Sequence, residues 1–91
     1  MQTADKKKLL QQAHNLHPVV RIGNKGLTEA VHIEIERALT AHQLIKIKVP
    51  QGDNAQRKAM FNNIADYHDA DFVHAIGFVG VFYRPKRAEK N

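Results

Sequence analysis

Pro18-Val19-Val20-Arg21-Ile22-Gly23-Asn24-Lys25-Gly26-Leu27-Thr28-Glu29-Ala30-Val31 is the stretch on which the fold turns. Its first part, Pro18 to Ile22, is short, β-branched and opened by a proline, the pattern of a buried strand. Thr28, an N-cap residue type, followed by Glu29 in the first turn, marks a helix start. Gly23-Asn24-Lys25-Gly26 therefore stands where a strand hands over to a helix. Glycine lets the backbone turn sharply and lets another backbone come close. The N–H groups of the coming helix lack internal partners, and its dipole favours negative charge there. Lys25 adds a full positive charge, so the loop has the chemistry to hold a phosphate. A Gly-x-x-Gly pair alone is more often only a tight turn, so the rest of the chain decides.

Working outward, Leu44-Ile45-Lys46-Ile47-Lys48-Val49 alternates strictly. Ile45, Ile47 and Val49 share one face, and Lys46 and Lys48 share the other with Leu44. That is a strand with one covered face and one basic, partly solvated face. The same logic sets Val20 and Ile22 against Val19 and Arg21, so neighbouring strands would bring Arg21 to Lys46 and Lys48. Between them, a helix from Thr28 to about Ala41 carries Val31, Ile35, Ala38 and Leu39 on one stripe. Residues 5–16 suit an amphipathic helix, with Leu9, Ala13 and Leu16 in line, Leu10 beside them and Thr3 or Asp5 as caps. Lys6, Lys7 and Lys8 fan around its first turn, and Pro18 stops it. Asp53 and Gln56 have capping-box spacing for a helix to about His68, with Met60, Ile64 and Tyr67 as the expected inner stripe and Ala59 beside them. Phe72–Ile76 and Val79–Arg84 read as a hairpin around a Gly77–Gly80 turn.

The order is α-β-α-β-α-β-β in a single domain over 1–85, followed by a basic tail, 86–91. Two strand–helix–strand units favour a parallel start, and the closing hairpin is antiparallel, so a four-stranded mixed sheet with packed helices is expected. The apolar stripe of the first helix needs a surface, which the second face of the sheet offers.

The 91 residues bound the answer to one small domain with an ordinary composition, 43% hydrophobic and 25% charged. A net charge of +5 and a pI near 9.8 favour polyanionic partners, nucleic acid before an anionic membrane. No cysteine is present, which excludes a disulfide framework and a thiolate zinc site. No run approaches the ~20 apolar residues of a membrane span. The N-terminal lysines are not followed by an apolar segment of the secretory type, so a cytoplasmic address is expected.

Catalysis finds little support. The six histidines form no His-Glu-x-x-His pattern, His32, His42, His68 and His74 are read as lacking a carboxylate partner at i, i+4, and most are expected to be exposed or half-buried. Asp66, Asp69 and Asp71 lack regular ligand spacing and read as solvated surface rather than a metal site. Thr28 is better explained as a helix cap than as a nucleophile, and the glycine loop lacks the Lys-Ser/Thr ending of a Walker loop. No enzyme, cofactor or metal is expected. Aromatic residues, at 7%, are too sparse for extensive base stacking. Glu29, Glu34 and Glu36 on the helix after the loop fit poorly in a DNA major groove. Backbone and shape recognition of folded RNA fits these parts best.

The run Ala13-His14-x-Leu16-x-Pro18-Val19-Val20-x-Ile22-Gly23-x-x-Gly26-Leu27-Thr28-Glu29 resembles the start of the CRM domain, the YhbY family of bacterial ribosome-associated RNA-binding proteins. Leu44–Val49 and the ending Ile76-Gly77…Phe82-Tyr83-Arg84-Pro85 are similar to later parts of the same family. The resemblance implies an α/β fold similar to the C-terminal domain of bacterial initiation factor three, a KH-like RNA loop, and association with precursors of the large ribosomal subunit. In organellar relatives the same module serves intron splicing. Carried over, Gly23, Asn24, Lys25 and Gly26 would form the RNA loop, and Arg21, Lys46, Lys48, Arg84, Lys7 and Lys8 would line the basic surface. The family often has lysine directly after the first glycine; here that position is Asn24 and the lysine is Lys25. A monomer binding ribosomal RNA, with no membrane or small-molecule partner, is the expectation. The rival readings are a module docking on ribosomal proteins, through the first helix or the Phe78-Val79 turn, and a small enzyme acting on a phosphorylated ligand at the loop.

Overall fold

A computed structural model of the chain describes residues 3–85; the expected basic tail, 86–91, lies outside them. The elements follow as α1 (Thr3–Ala13), β1 (Val20–Arg21), α2 (Glu29–His42), β2 (Leu44–Lys48), α3 (Asn54–His68), β3 (Asp71–Ile76) and β4 (Val79–Tyr83). The fold is a small α/β domain with a four-stranded mixed sheet in the order β1-β2-β4-β3. β1 and β2 run parallel, while β4 pairs antiparallel with both β2 and β3. β4 thus inserts between the two strands joined by α3.

Local chemistry accounts for the starts of α2 and α3. Thr28 Oγ1 accepts the Val31 N–H at 3.3 Å at the head of α2. Asp53 and Gln56 close the expected capping box on α3, with Gln56 N–H donating to Asp53 Oδ1 at 2.8 Å and Asp53 N–H to Gln56 Oε1 at 3.3 Å. The expected strand over 18–22 is regular only at Val20–Arg21, but the Val19 and Ile22 N–H groups still donate to the Lys46 and Lys48 carbonyls. α1 ends at Ala13, earlier than expected, and leaves Leu16 exposed with its carbonyl accepting from Lys46 Nζ at 3.1 Å.

The alternation of β2 divides the molecule into two cores. Ile45 and Ile47 join Val20, Ile22, Ile35, Leu39, Phe61, Ile64 and Phe82 beneath α2 and α3. Leu44 lies on the opposite face with Val73 and Val81, covered by Leu9 and Ala13 of α1. The first helix therefore takes the second face of the sheet, as its stripe requires. It covers only the end of that face near Leu44. Farther along, the register sets Arg21, Lys48, Val79 and Ile76 side by side across all four strands. Of this row, Arg21, Lys48 and Ile76 are exposed.

Two further expectations change. The buried stripe of α3 is Phe61, Ile64 and His68, whereas Tyr67 is 66% exposed. The helix is rolled so that Phe61 meets the rings of Phe72 and Phe82, at centroid distances of 5.2 and 6.0 Å. Gly80 is no part of the hairpin turn, which Gly77 makes at φ +57; it lies buried within β4 opposite Ile47 and Ala75. A Cβ there would come within 2.6 Å of the Phe61 ring. Gly80→Ala is thus expected to cost about 1–3 kcal/mol by overpacking, read as a lowered urea midpoint with little change in slope.

Candidate nucleic-acid interface

The glycine loop hangs from the open end of this sheet. The Gly26 N–H donates to the Gly23 carbonyl at 3.0 Å, closing a tight turn. Gly26 has φ +74, a left-handed conformation that disfavours any side chain, and the Thr28 N–H donates back to its carbonyl. Asn24 and Lys25 are exposed at the tip. The parallel register makes Arg21 and Lys48 direct neighbours just before the loop. Arg21, Asn24 and Lys48 line one groove with Gln51 and Phe78.

The other expected basic residues are placed unequally. Lys46 lies one row back from Lys48 on the same face, part-buried, with its ammonium tied to the Leu16 carbonyl. Lys7 is exposed on α1. Lys8 lines a groove with Asp5, Asp71 and Leu44, toward the opposite end of the sheet from the loop. The same groove also carries the carboxylates of Asp5 and Asp71.

Arg84 does not belong to the basic surface. It is 6% exposed, and both ends of its guanidinium grip Glu36, Nη1 to Oε1 at 2.9 Å and Nη2 to Oε2 at 2.8 Å. It also donates to the His68 carbonyl at 3.0 Å and to Thr40 Oγ1 at 3.2 Å. This bidentate pair ties the end of β4 to α2 and α3.

The same carboxylate anchors a chain of imidazoles that the sequence reading missed. His68, buried where most of the histidines were expected at or near the surface, has Nδ1 3.1 Å from Glu36 Oε1 and Nε2 3.0 Å from His32 Nδ1. A carboxylate only accepts, so His68 donates from Nδ1; when neutral it then accepts from His32 Nδ1. His32 stacks on Tyr67 with centroids 3.7 Å apart, which explains an exposed tyrosine held in place. The expectation that His32 lacks a carboxylate at i, i+4 is wrong: His32 and Glu36 are four residues apart on one helix face, a signal that points to this cluster. The Arg84 guanidinium first, and His68 next, hold Glu36 down to a pKa of about 2, against the opposing effect of burial. Burial, then the neighbouring His68, pushes His32 down.

Among the described residues no three histidines, cysteines or carboxylates are gathered to hold a metal ion, and no helix is long and apolar enough to cross a membrane. The model of the CRS1/YhbY (CRM) domain matches residues 1–84. The chain belongs to the CRM domain family. Among CRM relatives, an RNA-binding protein of Haemophilus influenzae is 42% identical over 99% of this chain and 91% of its own. A protein of Pseudomonas aeruginosa named as a probable RNA-binding protein is 37% identical over 87% of this chain and 76% of its own. The solution structure of a hypothetical protein of Staphylococcus aureus, given as a candidate RNA binder, superposes with a TM-score of 0.82 at 30% identity, covering 99% and 95% of the two chains.

The imidazole chain makes stability pH-dependent. Folded His32 resists protonation that the unfolded chain accepts near its ordinary 6.5, so stability is full above that pH and falls below it. Glu36 keeps its charge to about pH 2 when folded but takes up a proton near 4.5 when unfolded, so a second loss sets in as pH falls through that range. Urea midpoints from pH 8 to pH 3 should fall in two stages; His32→Asn should flatten the first and Glu36→Gln the second.

Proposed function

We propose that this CRM protein binds structured ribosomal RNA through the Gly23–Gly26 loop and the basic sheet face beside it, and acts in maturation of the large ribosomal subunit. One observation carries the reading: Arg21 and Lys48 are lateral neighbours at the uncovered end of the sheet, in the groove that Asn24 of the loop also lines. Lys25 stands at the loop tip and Lys46 one row behind. The names of the bacterial relatives support RNA as the ligand class. Phosphate contacts would supply affinity and position, while the loop turn lets an RNA backbone approach. A cytoplasmic monomer without catalytic activity or cofactor is part of the same reading.

The second reading, docking on ribosomal proteins, loses the apolar face of the first helix, which packs on the sheet, and draws instead on the exposed Ile33 and Tyr67 of α2 and α3. Sedimentation of the tagged chain, with and without ribonuclease, separates the two. Co-migration with large-subunit precursors that ribonuclease abolishes is expected; co-migration that survives it favours protein contacts. A position at the top of the gradient in both samples removes the ribosome assignment.

At the level of residues, Lys25→Ala should weaken RNA binding by about 1 kcal/mol at low salt, as for one charge-assisted contact. With about five phosphates neutralised, the log–log salt slope should be roughly −3 to −5, and Arg21→Ala or Lys48→Ala should each make it shallower by about one. Unchanged affinity in a folded Lys25→Ala protein rules out the loop.

A further inference from the structure

A second cationic cleft runs along the free edge of the sheet, where β3 is the outermost strand. Lys6 of α1 stands on one side and Arg57 and Lys58 of α3 on the other, with Asn54, His74 and Gly77 also lining it and no carboxylate among its described lining residues. Lys6, Lys58 and His74 are exposed. Arg57 is held in place: Nη1 donates to the Gly52 carbonyl at 2.6 Å, Nη2 bonds Asn54 Oδ1, and the guanidinium lies 4.7 Å over the ring of Phe78.

The cleft is not isolated from the loop. Arg57 also lines a depression with Pro50 and Gln51, and these two residues, with Phe78, line the groove that holds Arg21, Asn24 and Lys48. Three consecutive hollows with shared walls thus pass around the end of the sheet, from the glycine loop past the β3–β4 turn to the edge of β3. Four strands at about 4.8 Å spacing make this about 15 Å long. Cations stand at both ends, and the arginine between them is fixed by its own hydrogen bonds.

We propose that this track is an extended binding site for single-stranded RNA, in which Lys6 and Lys58 hold the backbone of nucleotides adjoining the part bound at the loop. The proposal rests on the RNA-binding reading of that loop and extends it to the strand's path and class. A charged channel that bends around a corner suits a flexible single strand, whose backbone follows a cationic groove without sequence-specific contacts. An acidic protein segment would use the same charges, and a sheet edge invites strand addition. The register shift between Phe72 and His74 breaks the regular run of backbone groups on β3 and disfavours it.

The test uses a labelled RNA hairpin, either blunt or with a single-stranded extension of about ten nucleotides at either end, and the full chain. For the native protein the extension should tighten binding about tenfold, which is about 1.4 kcal/mol. The double variant Lys6→Ala/Lys58→Ala, both sites exposed and its fold checked by circular dichroism, should lose that gain and bind the blunt hairpin unchanged. Lys25→Ala should weaken both RNAs. An extension that adds nothing to native binding, or a gain that survives in the double variant, overturns the track. Polyglutamate that binds more tightly than the extended RNA, in a manner dependent on Lys6 and Lys58, assigns the cleft to an acidic protein and also overturns it. Failure of the loop reading shows separately, as a blunt hairpin whose affinity does not respond to Lys25→Ala.

Discussion

The parallel pairing of β1 with β2 is the constraint on which the rest of the molecule depends. β1 has only two residues, and its hold on β2 is completed by the N–H groups of Val19 and Ile22 on either side. That short ladder buries Val20 and Ile22 under α2, and in the same stroke turns Arg21 outward beside Lys48. A slip of one residue would exchange those faces, placing a guanidinium in the core and a valine in the groove. Register here is enforced by the hydrophobic core, and the surface inherits it. The charges beside the loop are aligned because the aliphatic residues behind them have nowhere else to go.

A second device works at the other end of the sheet. Where β4 ends, Arg84 locks Glu36, and Glu36 in turn orders His68 and, through it, His32. Removing one partner of such a pair leaves the other charge without compensation, although the half-exposed Glu36 retains some water to soften the loss. The formal charge of the chain therefore misstates what a ligand meets. One arginine is spent on the interior, Lys46 is tied to a carbonyl, and Lys8 shares its groove with Asp5 and Asp71. Among the described residues, Arg21, Lys25 and Lys48 at the loop and Lys6 and Lys58 along the rim to β3 keep exposed charges.

Much of this was legible in the chain itself, for physical reasons that differ by element. Strict alternation in Leu44–Val49 assigns each side chain a face without ambiguity, because a strand has only two. The Asp53–Gln56 spacing located a helix start to the residue, because the cap is a local hydrogen-bond exchange. The stripe of α3 was harder. Met60 and Phe61 are adjacent and both apolar, so the pattern alone leaves the helix free to roll, and only the distant rings of Phe72 and Phe82 settle it. Arg84 was misplaced for a similar reason: its partner Glu36 is 48 residues away, and charge by itself does not say whether a side chain faces water or a carboxylate. The cleft at β3 was invisible for the same cause, since Lys6 and Lys58 meet only once the sheet is assembled.

The two glycines of the loop are not equivalent. Gly26 has a left-handed backbone, so the chain needs a glycine there to turn. Gly23 has an ordinary φ, and a Cβ built on it would touch nothing within 4 Å. No internal packing demands its smallness. Alanine or serine there would meet no obstacle in the core, and alanine would lower the entropy of the unfolded chain. Any pressure to keep it must come from outside the polypeptide, through whatever lies against the loop in the working complex. The pair thus separates two kinds of ancestry within four residues, one glycine answerable to the fold and the other only to the company the fold keeps.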